Sequence, residues 1–120
     1  MKKLSILLAL LALTAITQAS EKRCGWLENP TPANWWLIDG EGEWTISTQG
    51  GDQVDESLWD HLPKTNDNEF VRTNGSYGYS CVCLTVTVNK AQQRILKIQG
   101  GKSLLLKQCL EDTALPSMKR

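Results

Sequence analysis

Cys81 and Cys83 sit two residues apart in the β-prone run Tyr79-Ser80-Cys81-Val82-Cys83-Leu84-Thr85-Val86-Thr87-Val88. On a strand, side chains two apart point the same way. The run therefore puts both sulfurs on one face with Thr85 and Thr87, and Val82, Leu84, Val86 and Val88 on the other. Cys24 and Cys109 complete a count of four cysteines. An even count in a small exported chain predicts two disulfides, and four cysteines allow three pairings. A Cys81–Cys83 bridge is geometrically poor, because the two Cβ vectors run parallel. Each of the other two pairings ties this strand to both Cys24 and Cys109. Zinc sites and thioredoxin-like redox sites favour Cys-x-x-Cys spacing, which is absent, so no metal role is assigned to the cysteines.

The opening of the chain points to export. Lys2 and Lys3 precede an apolar run from Leu4 to Ile16, and Thr17-Gln18-Ala19 supplies small residues for cleavage after Ala19. This is a secretory signal pattern, expected over residues 1–19, and the apolar run is too short for a membrane span. Residues 20–120 then form one exported domain with no stable membrane insertion. Without Lys2 and Lys3 the chain keeps 11 basic and 13 acidic residues, a net of −2. Residues 20–80 hold 11 acidic and 4 basic side chains, and residues 81–120 hold 2 acidic and 7 basic. The two halves can attract each other within one fold. A slightly acidic exported chain without a basic stripe is not expected to bind nucleic acid.

Period-2 patterning predicts a mainly β, β-rich α+β domain: a small antiparallel sheet of hairpins with one short helix, stapled by two disulfides. Trp35–Asp39 and Glu43–Ser47 flank Gly40-Glu41-Gly42 and read as a hairpin. A three-residue loop sets Ile38 against Trp44 and Trp36 against Ile46, which makes these four the expected core face and puts Trp35 and Leu37 on the opposite one. Asp52, followed by Val54, Leu58 and Leu62, predicts an N-capped helix stopped by Pro63. Residues 63–69 read as a loop, and Asn74-Gly75 as a turn. The partner of the cysteine strand is Arg94–Ile98, with Val86 opposite Leu96 and Leu84 opposite Ile98. Gly100-Gly101 ends that strand, and Leu104–Leu106 adds a short one.

Catalytic motifs are scarce. His61 is the single histidine, and its place at a helix end suits interaction with terminal carbonyls. Asp39, Glu41 and Glu43 alternate like the start of a calcium loop, but Trp44 and Gly50 stand where an EF-hand needs Gly and Glu. An acidic hairpin tip is the plainer reading. No catalytic residue, cofactor or metal is assigned. The five tryptophans are a binding signal, because exposed indoles stack on sugars or anchor interfaces.

Cys24-Gly25-Trp26, Asn29-Pro30-Thr31-Pro32, Trp36-Leu37, Asp39 and Trp44 form an unusual combination with Gly78-Tyr79-Ser80-Cys81-Val82-Cys83-Leu84 and Gly101-Lys102-Ser103-Leu104. The combination resembles a family of small exported bacterial proteins classed as a domain of unknown function. That resemblance implies a Gram-negative periplasmic or secreted location and carries over no functional residue. The expectation is a non-enzymatic module binding another exported protein, in the manner of an inhibitor or immunity protein. Its expected contact surface comprises Trp26, Asn29, Pro30, Trp35 and Asp39. The alternatives are a cell-wall glycan module using exposed tryptophan, and a small hydrolase using Glu41, Glu43 or His61.

Overall fold

The computed structural model describes residues 19–51 and 56–118. The signal segment and the Asp52 helix cap lie outside the described residues. Six strands dominate: β1 (Glu21–Thr31), β2 (Asn34–Asp39), β3 (Gly42–Ser47), β4 (Phe70–Asn74), β5 (Tyr77–Asn89) and β6 (Arg94–Leu104). The helix expected before Pro63 is a 3₁₀ helix at Glu56–His61, and a short α-helix, α1 (Leu106–Leu110), follows β6 where a strand was expected.

β5 organises the sheet. Along one edge it pairs with β1, from Glu21↔Val86 to Asn29↔Gly78. Along the other it pairs first with β4 and then with β6, which lie end to end. β1 continues to β2 and β2 to β3. A single parallel bridge, Thr45↔Arg94, joins β3 to β6 and closes the circuit, with the Thr45 N–H donating to the Gln93 carbonyl at 2.9 Å. The ring β1-β2-β3-β6-β5 is therefore a five-stranded barrel, and β4 is an addition outside it. A three-strand meander, a helical segment and a hairpin that closes back on the first strand is the connectivity of an OB-type barrel.

The interior follows from the alternation of β5. Val82, Leu84, Val86 and Val88 point inward and pack with Leu27, Leu37, Trp44, Ile46, Ile95 and Ile98, and Leu58 enters this core from the 3₁₀ helix. The outward face of β5 is also covered. Tyr79 and Cys81 join Trp26 and Cys109 in a second, smaller core, against which Leu106, Leu115 and Met118 of the C-terminal segment pack. Strands buried on both faces show near-continuous burial, and residues 78–84 of β5 are all buried.

Two disulfides fix this arrangement. Cys24–Cys83 links directly paired residues of β1 and β5, and Cys81–Cys109 fastens the C-terminal segment across the outer face. The pairing left open by cysteine counting is thus settled, and no Cys81–Cys83 bridge forms.

Three sequence expectations are corrected. The β2–β3 hairpin turns through two residues, Gly40-Glu41, so Leu37 pairs with Trp44 and Ile38 with Glu43. Gly42 takes a φ of 125°, which only glycine adopts freely. The one-residue shift exchanges faces: Leu37 is in the core, while the Trp36 indole donates outside it to Glu28 at 2.7 Å. In β6, irregularities between Thr85/Val86 and Thr87/Val88 set Val86 against Ile98 and Val88 against Ile95. Bulges of this kind add residues that local alternation cannot anticipate. Finally, β6 runs through Gly100-Gly101 to Leu104, because each of those residues finds a partner on β5.

Candidate functional site

The two ends of the barrel differ in character. At the end near the Gly40-Glu41 turn, Arg23 projects inward beneath Leu84 and is 6% exposed. Its guanidinium pairs with Asp39 at 2.8 Å, Glu21 at 2.6 Å and Glu41 at 3.3 Å, and lies 3.8 Å from the centroid of the Trp44 ring. Asp39, 7% exposed, also accepts from the Trp44 indole at 3.0 Å and from the Glu41 backbone N–H at 2.9 Å. Burial pulls the Arg23 pKa down, but the hydrogen bonds and charges of Asp39 and Glu21 outweigh it and raise the pKa above the ordinary guanidinium value. This is a structural plug. Asp39 and Glu41 turn toward Arg23, and no group of three metal-capable side chains occurs among the described residues.

The opposite end is a mouth. There β1, β4 and β5 share one inner face, and their register lays down two adjacent rows: Leu27, Ser80 and Phe70, then Asn29, Gly78 and Arg72. Trp35 of β2 and the segment Leu62–Asp67 wall the space above these rows, enclosing a cavity of about 390 Å³. Gly78 and the buried Ser80 keep its floor open.

The mouth is held by its own hydrogen bonds. The Asn29 amide donates to the carbonyls of Thr31 and Asn34, both at 2.9 Å, bracing the β1–β2 turn. Ala33 in that turn has a φ of 68°, a conformation non-glycine residues seldom adopt. Its carbonyl accepts from the Ser47 hydroxyl at 2.7 Å, and the Asn34 carboxamide accepts from the Gln49 N–H at 2.8 Å. Trp35 stands in ring contact with Trp59, with centroids 5.3 Å apart and planes tilted by 53°. On the rim, Arg72 and Asp67 face each other at 4.0 Å.

Of the five residues expected to form a contact surface, the structure brings Asn29 and Trp35 together at the mouth. Pro30 lies beside it, its carbonyl accepting from the Asn74 side chain at 3.3 Å. Trp26 and Asp39 are elsewhere. Trp26 is 1% exposed on the outer face, donates to the Pro116 carbonyl at 3.0 Å and meets Tyr79 edge-on at 5.1 Å. Asp39 serves the Arg23 plug. His61 and Glu43 are exposed and do not line the cavity. Phe70, Arg72 and Asp67 were not anticipated. The Asn74-Gly75 turn was the available signal, since a hairpin across it puts Phe70 and Arg72 on one face.

With this geometry in hand, comparison with known proteins adds a family. A model described as a protein of unknown function, DUF4087, matches residues 18–116. The chain belongs to that family. No curated protein and no solved structure matches it. Family membership attaches no activity to the chain. Among the described residues, no helix is long and apolar enough to cross a membrane.

Proposed function

We propose that this DUF4087 protein is an exported, non-enzymatic binding module that engages its partner at the barrel mouth. The observation that carries the reading is the mouth itself: a cavity of about 390 Å³ with an aromatic wall and polar rows, braced from below. Mouths of β-barrels are a preferred location for ligand sites, and this volume falls within the range of ligand pockets. The lining favours holding over turnover. Among the described residues that line it, Asp67 is the one carboxylate and none is a histidine, whereas glycoside hydrolysis ordinarily needs two carboxylates across the bond. The export pattern of residues 1–19 and the two disulfides support a periplasmic or secreted setting.

A photo-crosslinking residue placed at Ser76 on the rim, against one at Lys97 on the barrel wall, tests the site in cells. Both positions are exposed, and Lys97 does not line the cavity. Adducts with envelope material are expected from position 76 and not from 97. Equal labelling from both, or none from 76, refutes the mouth as the binding site.

A further inference from the structure

Resting on the mouth reading, we infer that its ligand is a neutral saccharide unit of an envelope glycan. The indoles supply the first argument. Trp26, Trp36 and Trp44 each donate to a protein acceptor. Among the described residues Trp35 and Trp59 have none, although they touch each other and Trp35 walls the cavity. The Trp35 N–H is not a buried unpartnered group, so it stays available at the cavity wall to an acceptor that displaces solvent. A sugar ring can provide one, with its C–H face against the aromatic wall of Trp35 and Phe70.

The polar rows point the same way. Both donor bonds of the Asn29 amide are spent on the turn, which orients the carboxamide and leaves its oxygen as a fixed acceptor. Across Gly78, Arg72 contributes a fork of donors. Asp67 on the rim adds a second acceptor. Vicinal hydroxyls are both donors and acceptors, so one pyranose can satisfy such a mixed set while stacking on the wall. Charge separates this from anionic ligands: Arg72 and Asp67 offset each other at 4.0 Å, and the described lining residues include no second cation. Addition of a peptide strand to β4 is disfavoured, because β4 is short, carries Arg72 and is bulged between Arg72 and Asn74. Those are the features that blunt a sheet edge.

Titration of the oxidised protein with triacetylchitotriose and with peptide-free glycan strands from sacculi tests the inference, read by indole fluorescence and amide NMR shifts. Saturable binding is expected, with shifts clustered at Asn29, Trp35 and Phe70. Trp35→Ala is expected to weaken it by about tenfold or more, as for a central aromatic anchor. Arg72→Gln and Asp67→Asn alter exposed side chains that leave folding intact, and each is expected to weaken binding severalfold. No saturable response to triacetylchitotriose, the uncharged probe, overturns the inference, even if the glycan strands with their lactyl carboxylates bind. So does undiminished binding by Trp35→Ala, Arg72→Gln and Asp67→Asn alike. Crosslinks from position 76 to a protein, without glycan binding, also overturn the saccharide and leave the mouth standing. Glycan binding with shifts remote from the mouth overturns both.

Discussion

Arg23 gives the sharpest test of how the barrel is held together. Arg23→Met keeps most of the side-chain stem and deletes the charge. Breaking a buried pair by removing one partner costs about 3–5 kcal/mol, because the other charge stays buried alone. Here the value falls at the low end. Only Asp39 is comparably buried, while Glu21 and Glu41 reach solvent and contribute about 0–1 kcal/mol each. The Nε of Arg23 already lacks a partner, which lowers the net worth of the cluster further. We expect a loss of about 3 kcal/mol. Asp39→Asn keeps an oxygen for the Trp44 indole and the Glu41 N–H, and Glu21 and Glu41 still face Arg23, so about 2 kcal/mol is expected. With both charges removed nothing buried is left unpaired. The double variant should therefore cost about 2 kcal/mol, less than Arg23→Met alone and roughly 3 below the sum of the singles.

Urea unfolding of the oxidised domain, followed by tryptophan fluorescence, measures all four corners of this cycle. Additive losses would refute the claim that Asp39 is the principal partner. The pH dependence gives a second check. The Arg23 pKa is raised in the fold, so its stabilisation is fully present below the ordinary guanidinium value and fades only above a still higher pH. The wild-type contribution is thus constant from neutral to about pH 10. Arg23→Lys keeps the acidic partners that favour the charged form, but an amine has a lower intrinsic pKa than a guanidinium, so its contribution fades once pH rises past the lysine range. That variant should lose stability across the alkaline range where the wild type does not.

Three further outcomes follow from the packing. Cys81→Ala with Cys109→Ala removes a bridge closing a separation of 28 residues, worth about 3.5 kcal/mol in the chain-entropy model. Hydrogen exchange should accelerate first in residues 105–118, whereas Cys24→Ala with Cys83→Ala leaves β1 and β5 paired and lowers only global stability. A Cβ on Gly25 would collide with the backbone carbonyl of Ile38, so Gly25→Ala should fail to give soluble oxidised protein, where Gly100→Ala, with open space around it and no positive φ, should still fold. Leu58→Ala leaves a void in the core at the 3₁₀ helix, and a loss of about 2–5 kcal/mol is expected in the same urea assay.

What local pattern could reveal about this fold depended on whether one residue sufficed to fix a face. Along Tyr79–Val88 it did: strict alternation separated the sulfurs from the Val/Leu face, and the barrel interior follows that split. Around Gly40-Glu41-Gly42 it did not. Turns of two and three residues both fit, and they differ by one step of register, which exchanges every side chain between faces. The deciding contacts are the Asp39 carboxylate on the Glu41 N–H and the positive φ of Gly42. Neither is a periodicity. The uneven spacing of Ile95, Leu96 and Ile98 was a trace of the β6 bulges, but only pairing with β5 shows where the extra residues go. Barrel closure is harder still, since β1 meets β5 between residues 49 to 65 apart in the chain. The mouth inherits that difficulty. Asn29 and Trp35 stand out as residues, yet they become a site only when closure sets them beside Phe70 and Arg72 on strands distant in sequence. Trp26 shows the converse. Its neighbourhood reads as a surface motif, and it is the C-terminal segment, drawn over it by Cys81–Cys109, that turns it inward.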